Sequence, residues 1–379
     1  MKKLVICVTI LISIISCQPN SPDYQEQQQS PAVASSHTEE ITTDNTITVF
    51  LTGNLLGSLK PCGCSGGQLG GLNRRPAIFN TVPDDKRLII DTGNIVEKQA
   101  DQDAIKFSII MEAYKYLKYD IINLSKQDIE MAPPDPALHF ISAYGFDRDI
   151  VTGNQFDFTI NEDNIKITVI TFDPEVFDIE DIGEVFPENP GQKNINILIL
   201  NSDDNDIINE IAKIGIVDCL ICQIPSDEPM TIDNSDSKTL ICSVGRQGKY
   251  ISKLDIQNIT DGNVKLNFSY VAVREEIKED TFLIELYKIY QDLVKQAGLL
   301  EDHSKYSLPD DLYYIGSKAC YGADCHGADK DFHQYEYIVW SEPQQESGEQ
   351  HSHAYQTLVD VGSQYDPECI VCHVCNFNI

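Results

Sequence analysis

The sequence predicts a layered α/β domain followed by a small, mostly irregular or helical segment built around cysteine and histidine. Three observations predict this. From Ile47 to Val273, short β-branched runs alternate with amphipathic stretches, the pattern of strands and helices stacked in layers. From Tyr313 the composition turns to Cys, His, Tyr and Gly with few aliphatics. Five of the eight His lie in that last part, against one, His139, between Thr46 and Leu283. A chain of 379 residues has room for two or three domains.

Elements follow in order. Met1-Lys2-Lys3 and the apolar run Leu4–Ser16 form a signal peptide, residues 1–16, too short for a comfortable membrane span. Ile14-Ile15-Ser16-Cys17 resembles a bacterial lipobox, which implies a lipid on Cys17; an ordinary secretory signal is the alternative. Residues 17–46 are rich in Gln, Ser, Pro, Thr and Glu. Such a stretch buries too little to offset its ordering entropy and is expected as a flexible tether. Gln18 after the Cys favours outer-membrane anchoring facing the periplasm, or the outer face of the cytoplasmic membrane in a cell with one membrane. Strands are expected at Ile47–Leu51, Leu88–Ile90, Tyr119–Leu124, Ile165–Phe172, Ile195–Leu200, Val217–Ile221, Thr239–Val244, Ile251–Ile256 and Val264–Val273. Helices are expected at Phe107–Leu117 and Asp206–Ile214. These fill a domain at 47–273. Ile284, Tyr287, Ile289, Tyr290, Leu293 and Val294 fall near helical spacing, so residues 274–312 read as a connecting helix and linker. Residues 313–379 form the last domain.

Charge narrows the partners. With 28 Lys and Arg against 59 Asp and Glu, the net charge is −31. Nucleic acid is excluded as a partner, because phosphate binding needs basic residues. A basic partner protein suits this surface.

The last domain carries the clearest chemistry. Cys369-Ile370-Val371-Cys372-His373 is a C-x-x-C-H motif. Two thiols form thioethers with haem vinyl groups and the His becomes an iron ligand. A zinc site or a disulfide is the alternative. Cys320 and Cys325, followed by His326, form a longer and less specific version. The order Tyr314-Ile315-Gly316-Ser317-Lys318-Ala319-Cys320, Trp340, His351-Ser352-His353-Ala354 and Tyr365-Asp366-Pro367-Glu368-Cys369 resembles the multihaem cytochrome c family. That resemblance implies two covalent haem c groups and electron transfer. It makes His353, then His351, a distal ligand; His333 is a further candidate. The first motif is two residues longer than usual, and Pro343–Gln350 reads as an insertion.

In the middle domain, Thr52-Gly53-Asn54-Leu55-Leu56-Gly57, Gly70-Gly71-Leu72-Asn73-Arg74-Arg75, Leu88-Ile89-Ile90-Asp91-Thr92-Gly93-Asn94, Tyr119-Asp120-Ile121-Ile122-Asn123-Leu124 and Gly245-Arg246-Gln247-Gly248-Lys249-Tyr250 resemble the 5′-nucleotidase branch of the calcineurin-like metallophosphoesterases. The resemblance implies a layered β-sandwich with flanking helices and an active site of two metals. The ligand positions do not carry over. The first motif's Asp and His fall on Asn54 and Leu56, the bridging Asp on Asn94, and the third motif on Ser125-Lys126-Gln127-Asp128. The late His falls near Asn201, and the Gly-His-x-His run near Cys222-Gln223-Ile224-Pro225. Phosphoesterase activity by the family mechanism is not expected.

Pro61-Cys62-Gly63-Cys64 sits in a glycine-rich loop, and similar runs occur in a redox-associated offshoot of that family. Cys62, Cys64 and Cys222 are candidate redox thiols or soft-metal ligands; a structural Cys62–Cys64 or Cys64–Cys222 disulfide is the alternative. Cys219 and Cys222 should point to opposite faces of one strand, and Cys219 and Cys242 should pack within strands. The expectation is an exported, lipid-anchored electron carrier with a redox partner protein. A thiol-dependent oxidoreductase with haem as outlet, or a non-catalytic ligand-binding scaffold, are the rivals.

Overall fold

The computed structural model describes residues 46–61, 68–132, 135–144, 151–160, 165–186, 193–234, 237–257, 264–299, 354–367 and 369–370. The strands are β1 (Ile47–Thr52), β2 (Arg87–Asp91), β3 (Ile121–Asn123), β4 (Phe140–Ile141), β5 (Gln155–Ile160), β6 (Ile165–Phe172), β7 (Lys193–Leu200), β8 (Cys219–Cys222), β9 (Met230–Ile232), β10 (Leu240–Ser243), β11 (Tyr250–Gln257) and β12 (Lys265–Ala272). The helices are α1 (Arg75–Phe79), α2 (Asp101–Tyr116), α3 (Ile182–Val185), α4 (Asn205–Ile214), α5 (Thr281–Gln296) and α6 (Ala354–Asp360).

The strands form two six-stranded mixed sheets, ordered β12-β11-β1-β2-β3-β4 and β5-β6-β7-β8-β10-β9. Each holds four neighbouring parallel strands; in the first sheet the antiparallel β11 and β12 extend one side and the parallel β4 is the other edge, and in the second the antiparallel β5 and β9 are the two edges. Both faces of a central strand are apolar because both are covered. In β1, Val49 and Leu51 enter the layer between the sheets while Phe50 enters the layer under α2 and α5. In β7, Ile195, Ile197 and Ile199 face the other sheet while Leu198 and Leu200 pack with α3 and α4. The result is four layers with three apolar seams.

Local signals set the helix ends. The Asp204 carboxylate accepts from the amides of Asp206 and Ile207 to start α4, and Gly215 ends it in a left-handed conformation. Asp280 accepts from the Leu283 amide to start α5. In α2 the Asp103 carboxylate reaches back to the Ala100 amide, 3.3 Å. That bond accounts for a helix that begins six residues before the expected Phe107.

The helix expected as a connector over 275–298 is a layer of the domain. Leu283, Leu286, Tyr287, Tyr290 and Val294 are buried in the same seam as Phe107, Ile110 and Tyr114 of α2. Burying an aliphatic side chain contributes about 1.5–3 kcal/mol. A helix cap contributes about 1 kcal/mol, so packing holds α5 in place. Three strands escaped the sequence reading. β4 has two residues, β5 interleaves Phe156 and Phe158 with Asp157 and Thr159, and β9 is an exposed edge with no burial pattern. The described residues belong to one compact unit, 43–379. Among them no helix is long and apolar enough to cross a membrane. The signal peptide, Cys17 and the tether lie outside the described residues.

Candidate functional site

Parallel strands of both sheets end side by side, and ligands of α/β proteins bind at such carboxyl ends. The loops after β1 and β2 are zipped there by backbone bonds. The Asn54 amide donates to Gly93 O at 2.8 Å, Leu56 to Asn94 O at 3.1 Å, and Gly57 to Ile95 O at 2.8 Å. The zipper places three residues other than glycine in left-handed conformations: Asn54 (φ 47°), Leu56 (φ 53°) and Asn94 (φ 55°). Asn tolerates this region because its short polar side chain bonds locally; Leu does not share that relief.

The side chains at these strand ends form a chain of carboxamides. Asn54 Nδ2 donates to Gly245 O at 3.1 Å. Asn94 Nδ2 donates to Asn54 Oδ1 at 2.9 Å and to Gln223 Oε1 at 3.4 Å. Gln223 Nε2 donates to Thr92 O at 2.5 Å. Asn123 Nδ2 donates to the same carbonyl at 2.8 Å and to Asn201 Oδ1 at 3.1 Å. Asn201 Nδ2 reaches Thr171 Oγ1 at 3.3 Å. The chain crosses between the sheets at Asn94–Gln223, at Gln223–Thr92 and at Asn123–Asn201, and laces their ends together. No link in it carries a formal charge.

The nearby carboxylates are used elsewhere. Asp128, in the third motif, accepts from the amides of Ile95, Val96 and Ser125 and from Ser125 Oγ at 2.7 Å. It therefore fixes the loop after Asn94. Burial pushes its carboxyl up to about 6 against those donors. Lys126 pairs with Glu175 at 3.0 Å on the surface. Asp91 lies on the outer face of the first sheet, accepting from Thr52 Oγ1 and Tyr114 Oη at 2.7 Å and from the Gly93 amide at 3.0 Å. Full burial raises its pKa, opposed by those donors and by the charge of Arg75. Arg75, also fully buried, donates to Tyr119 Oη. His139 precedes β4 and so stands at the opposite end of the parallel strands; its ring packs on Phe156.

Two hard metal ions need anionic oxygens and imidazoles, and a third motif able to reach them. The positions that would supply these hold carboxamides committed to one another and an aliphatic Leu56. Among the described residues no three His, Cys, Asp or Glu are grouped to hold a metal. The residues present do not fit the dinuclear centre of the resembled family.

The cysteines divide as their strands dictate. Cys219 and Cys242 lie in the seam between the sheets, Sγ to Sγ 4.0 Å. Cys222 lies on the opposite face of β8, packed in the seam under α3 and α4. Its thiol was expected to join Cys62 and Cys64 at the strand ends. Strand alternation turns it away, leaving its neighbour Gln223 at the site. Burial pushes the Cys222 thiol up to about 12, which keeps it protonated at neutral pH. Cys369 is described, half-buried, with its amide on Asp366 O at 3.1 Å. Cys62, Cys64, Cys320, Cys325, Cys372, His326, His333, His351, His353 and His373 lie outside the described residues. Asn123 stands in the quoted run Tyr119–Leu124 with no role assigned to it, and Thr171 within the strand expected at Ile165–Phe172 likewise. Their signal was weak: a single polar residue at the end of a β-branched run.

No protein-family model matches the chain, and no curated protein matches it. Among solved structures it is similar to a 5′-nucleotidase precursor from Thermus thermophilus, with a TM-score of 0.51 at 16% identity, over 66% of this chain and 59% of that one. It is likewise similar to the sulfate thiohydrolase SoxB from Thermus thermophilus, with a TM-score of 0.50 at 11% identity, over 66% of this chain and 61% of that one. The chain thus spans about three fifths of the length of either protein. At such identities the likeness concerns the fold alone: two mixed sheets with flanking helices, matching a metallophosphoesterase-like fold.

Proposed function

We propose that this protein is an exported, lipid-anchored c-type cytochrome that passes electrons through two covalent haems. In this reading the phosphoesterase-like domain has exchanged metal chemistry for a structural role. The observation that carries it is the run Cys369-Ile370-Val371-Cys372-His373, joined to a domain whose metal positions hold hydrogen-bonded carboxamides. Cys369 and Cys372 would form the thioethers of one haem and His373 its proximal ligand; Cys320, Cys325 and His326 would do the same for the other. Bound haem supplies a one-electron iron couple. His353, His351 and His333 are the candidates for the distal positions. Two protein ligands on each iron would favour electron transfer over reaction with a small molecule. The net charge of −31 supports docking to a basic redox protein. The membrane is reached through lipid on Cys17.

One observation favours a second reading, in which Cys62 and Cys64 pass electrons from a thiol substrate to haem. Lys60, two residues before Cys62, donates to Val361 O at 3.5 Å. The start of the thiol loop therefore adjoins the segment that leads to Cys369. Substrate-dependent haem reduction that is lost in a Cys62→Ser/Cys64→Ser variant would select this reading.

The test of the main reading is a pyridine haemochrome spectrum on protein expressed with the cytochrome c maturation machinery. About two covalent haems per chain are expected from the two motifs. One haem would make Cys320 and Cys325 a disulfide. None would leave a lipid-anchored scaffold.

A further inference from the structure

The helix α5 presents a polar stripe on an otherwise apolar face. Tyr287, Tyr290, Gln291 and Lys295 fall at spacings of three, four and eight, on one side of the helix. Tyr290 and Gln291 are almost fully buried. Buried polar atoms need partners, and residues 361–366 supply them. Tyr290 Oη donates to Asp366 Oδ2 at 3.1 Å, and Gln102 Nε2 of α2 donates to Asp366 Oδ1 at 3.2 Å. Tyr287 Oη and Ser363 Oγ are 2.7 Å apart. Gln291 Oε1 accepts from the Tyr365 amide at 3.0 Å, and Lys60 Nζ stands 4.5 Å from the Tyr287 ring centre.

Asp366 links this latch to the haem motif. Its side chain is held by α2 and α5, while its carbonyl accepts the amides of Cys369 and Ile370 at 3.1 and 3.0 Å. Asp366 is 7% exposed, Ile370 0%. The turn therefore buries Ile370 and leaves Cys369 partly accessible for modification. A carboxylate this buried is costly unless hydrogen-bonded, so its two side-chain donors favour one seat over many.

We propose that the α2–α5 face seats the chain that leads into the second haem motif, with Gln102, Tyr287, Tyr290 and Gln291 as positioning residues that fix the segment ending at Cys369. The inference rests on the haem reading above and adds what fixes the approach to that haem: the first thioether cysteine, Cys369, leaves a segment held by α2 and α5. A fixed seat sets the haem's distance to whatever donates electrons to it.

The test compares holo wild type with a Tyr290→Phe/Asp366→Asn variant and, should that misfold, with Ser363→Ala, which removes one partner of Tyr287 and leaves Gln291 as another. Three quantities are read: haem per chain, amide hydrogen exchange across 358–370, and the midpoint potentials. Protection of this segment in wild type is expected. The variant should keep its haem count, exchange about tenfold faster across 363–370, and shift the potential of one haem while the other holds. A wild-type segment that exchanges at unfolded rates, or a variant unchanged in both exchange and potentials, would overturn the seat. A protected segment on a wild-type protein that carries no haem would overturn the haem reading, and this assignment with it, while leaving the docking intact.

Discussion

Replacing Asn94 by Asp changes the atom that donates into the carboxamide chain and almost nothing else. The wild-type Nδ2 donates to Asn54 Oδ1 at 2.9 Å and to Gln223 Oε1 at 3.4 Å. In the variant an oxygen faces two oxygens. Rotating the neighbouring amides cannot repair this. Turning Asn54 would aim its Oδ1 at Gly245 O, and turning Gln223 would aim its Oε1 at Thr92 O; both carbonyls only accept. Every orientation in this part of the chain is set by those two carbonyls. The cost is two hydrogen bonds at about 1 kcal/mol each, plus repulsion blunted by water because Asn94 is half-buried, for a total of about 2–3 kcal/mol. For a domain of this size that lowers Tm by about 4–9 °C. The new carboxyl finds acceptors and no donor from the chain, so its folded pKa rises above its unfolded value. The deficit is therefore small at low pH, where the introduced carboxyl is neutral and can donate, and it grows as pH rises through the folded pKa. Thermal and urea unfolding followed by circular dichroism, at about pH 4 and about pH 7, would measure both effects. A loss under about 0.5 kcal/mol, or a loss that does not grow with pH, would refute the lacing.

Asp128 titrates near 6, above the usual carboxyl range. Because its folded pKa is raised, the stability it contributes is full below the unfolded pKa and declines as pH climbs toward about 6. Carbon-13 titration of the side-chain carboxyl would read that midpoint directly, and a midpoint below about 4 would contradict it. Cys219, Cys222 and Cys242 are fully buried. Alkylation of the native protein followed by peptide mapping should leave these three unlabelled, and unfolding should label all three. Rapid native labelling of Cys222 would return it to the redox candidates. The haem count and the exchange of residues 358–370 complete the set.

Much of the fold was legible because its central strands are buried on both faces. Ile165–Phe172 matches the structure residue for residue, as a long β-branched run should. The misses have common physics. β9 buries almost nothing and β4 is two residues long, so neither leaves a periodic trace. The role of α5 was hidden because spacing shows an apolar stripe without naming its partner. At the site, resemblance located Asn54, Asn94, Asn201 and Gln223 one at a time. Their mutual bonding was invisible because it joins residues up to 129 positions apart in the chain. Cys222 differs from its expected place because the alternation that separates it from Cys219 also turns it toward α3 and α4, away from the strand ends.

The loop carrying Leu56 keeps its left-handed turn through main-chain bonds, Leu56 N on Asn94 O and Gly57 N on Ile95 O. The Leu56 side chain takes no part in those bonds. Contour and reactivity are thus inherited separately in this loop: mutation is free to exchange the groups that face the cleft while the backbone beneath them stays the same.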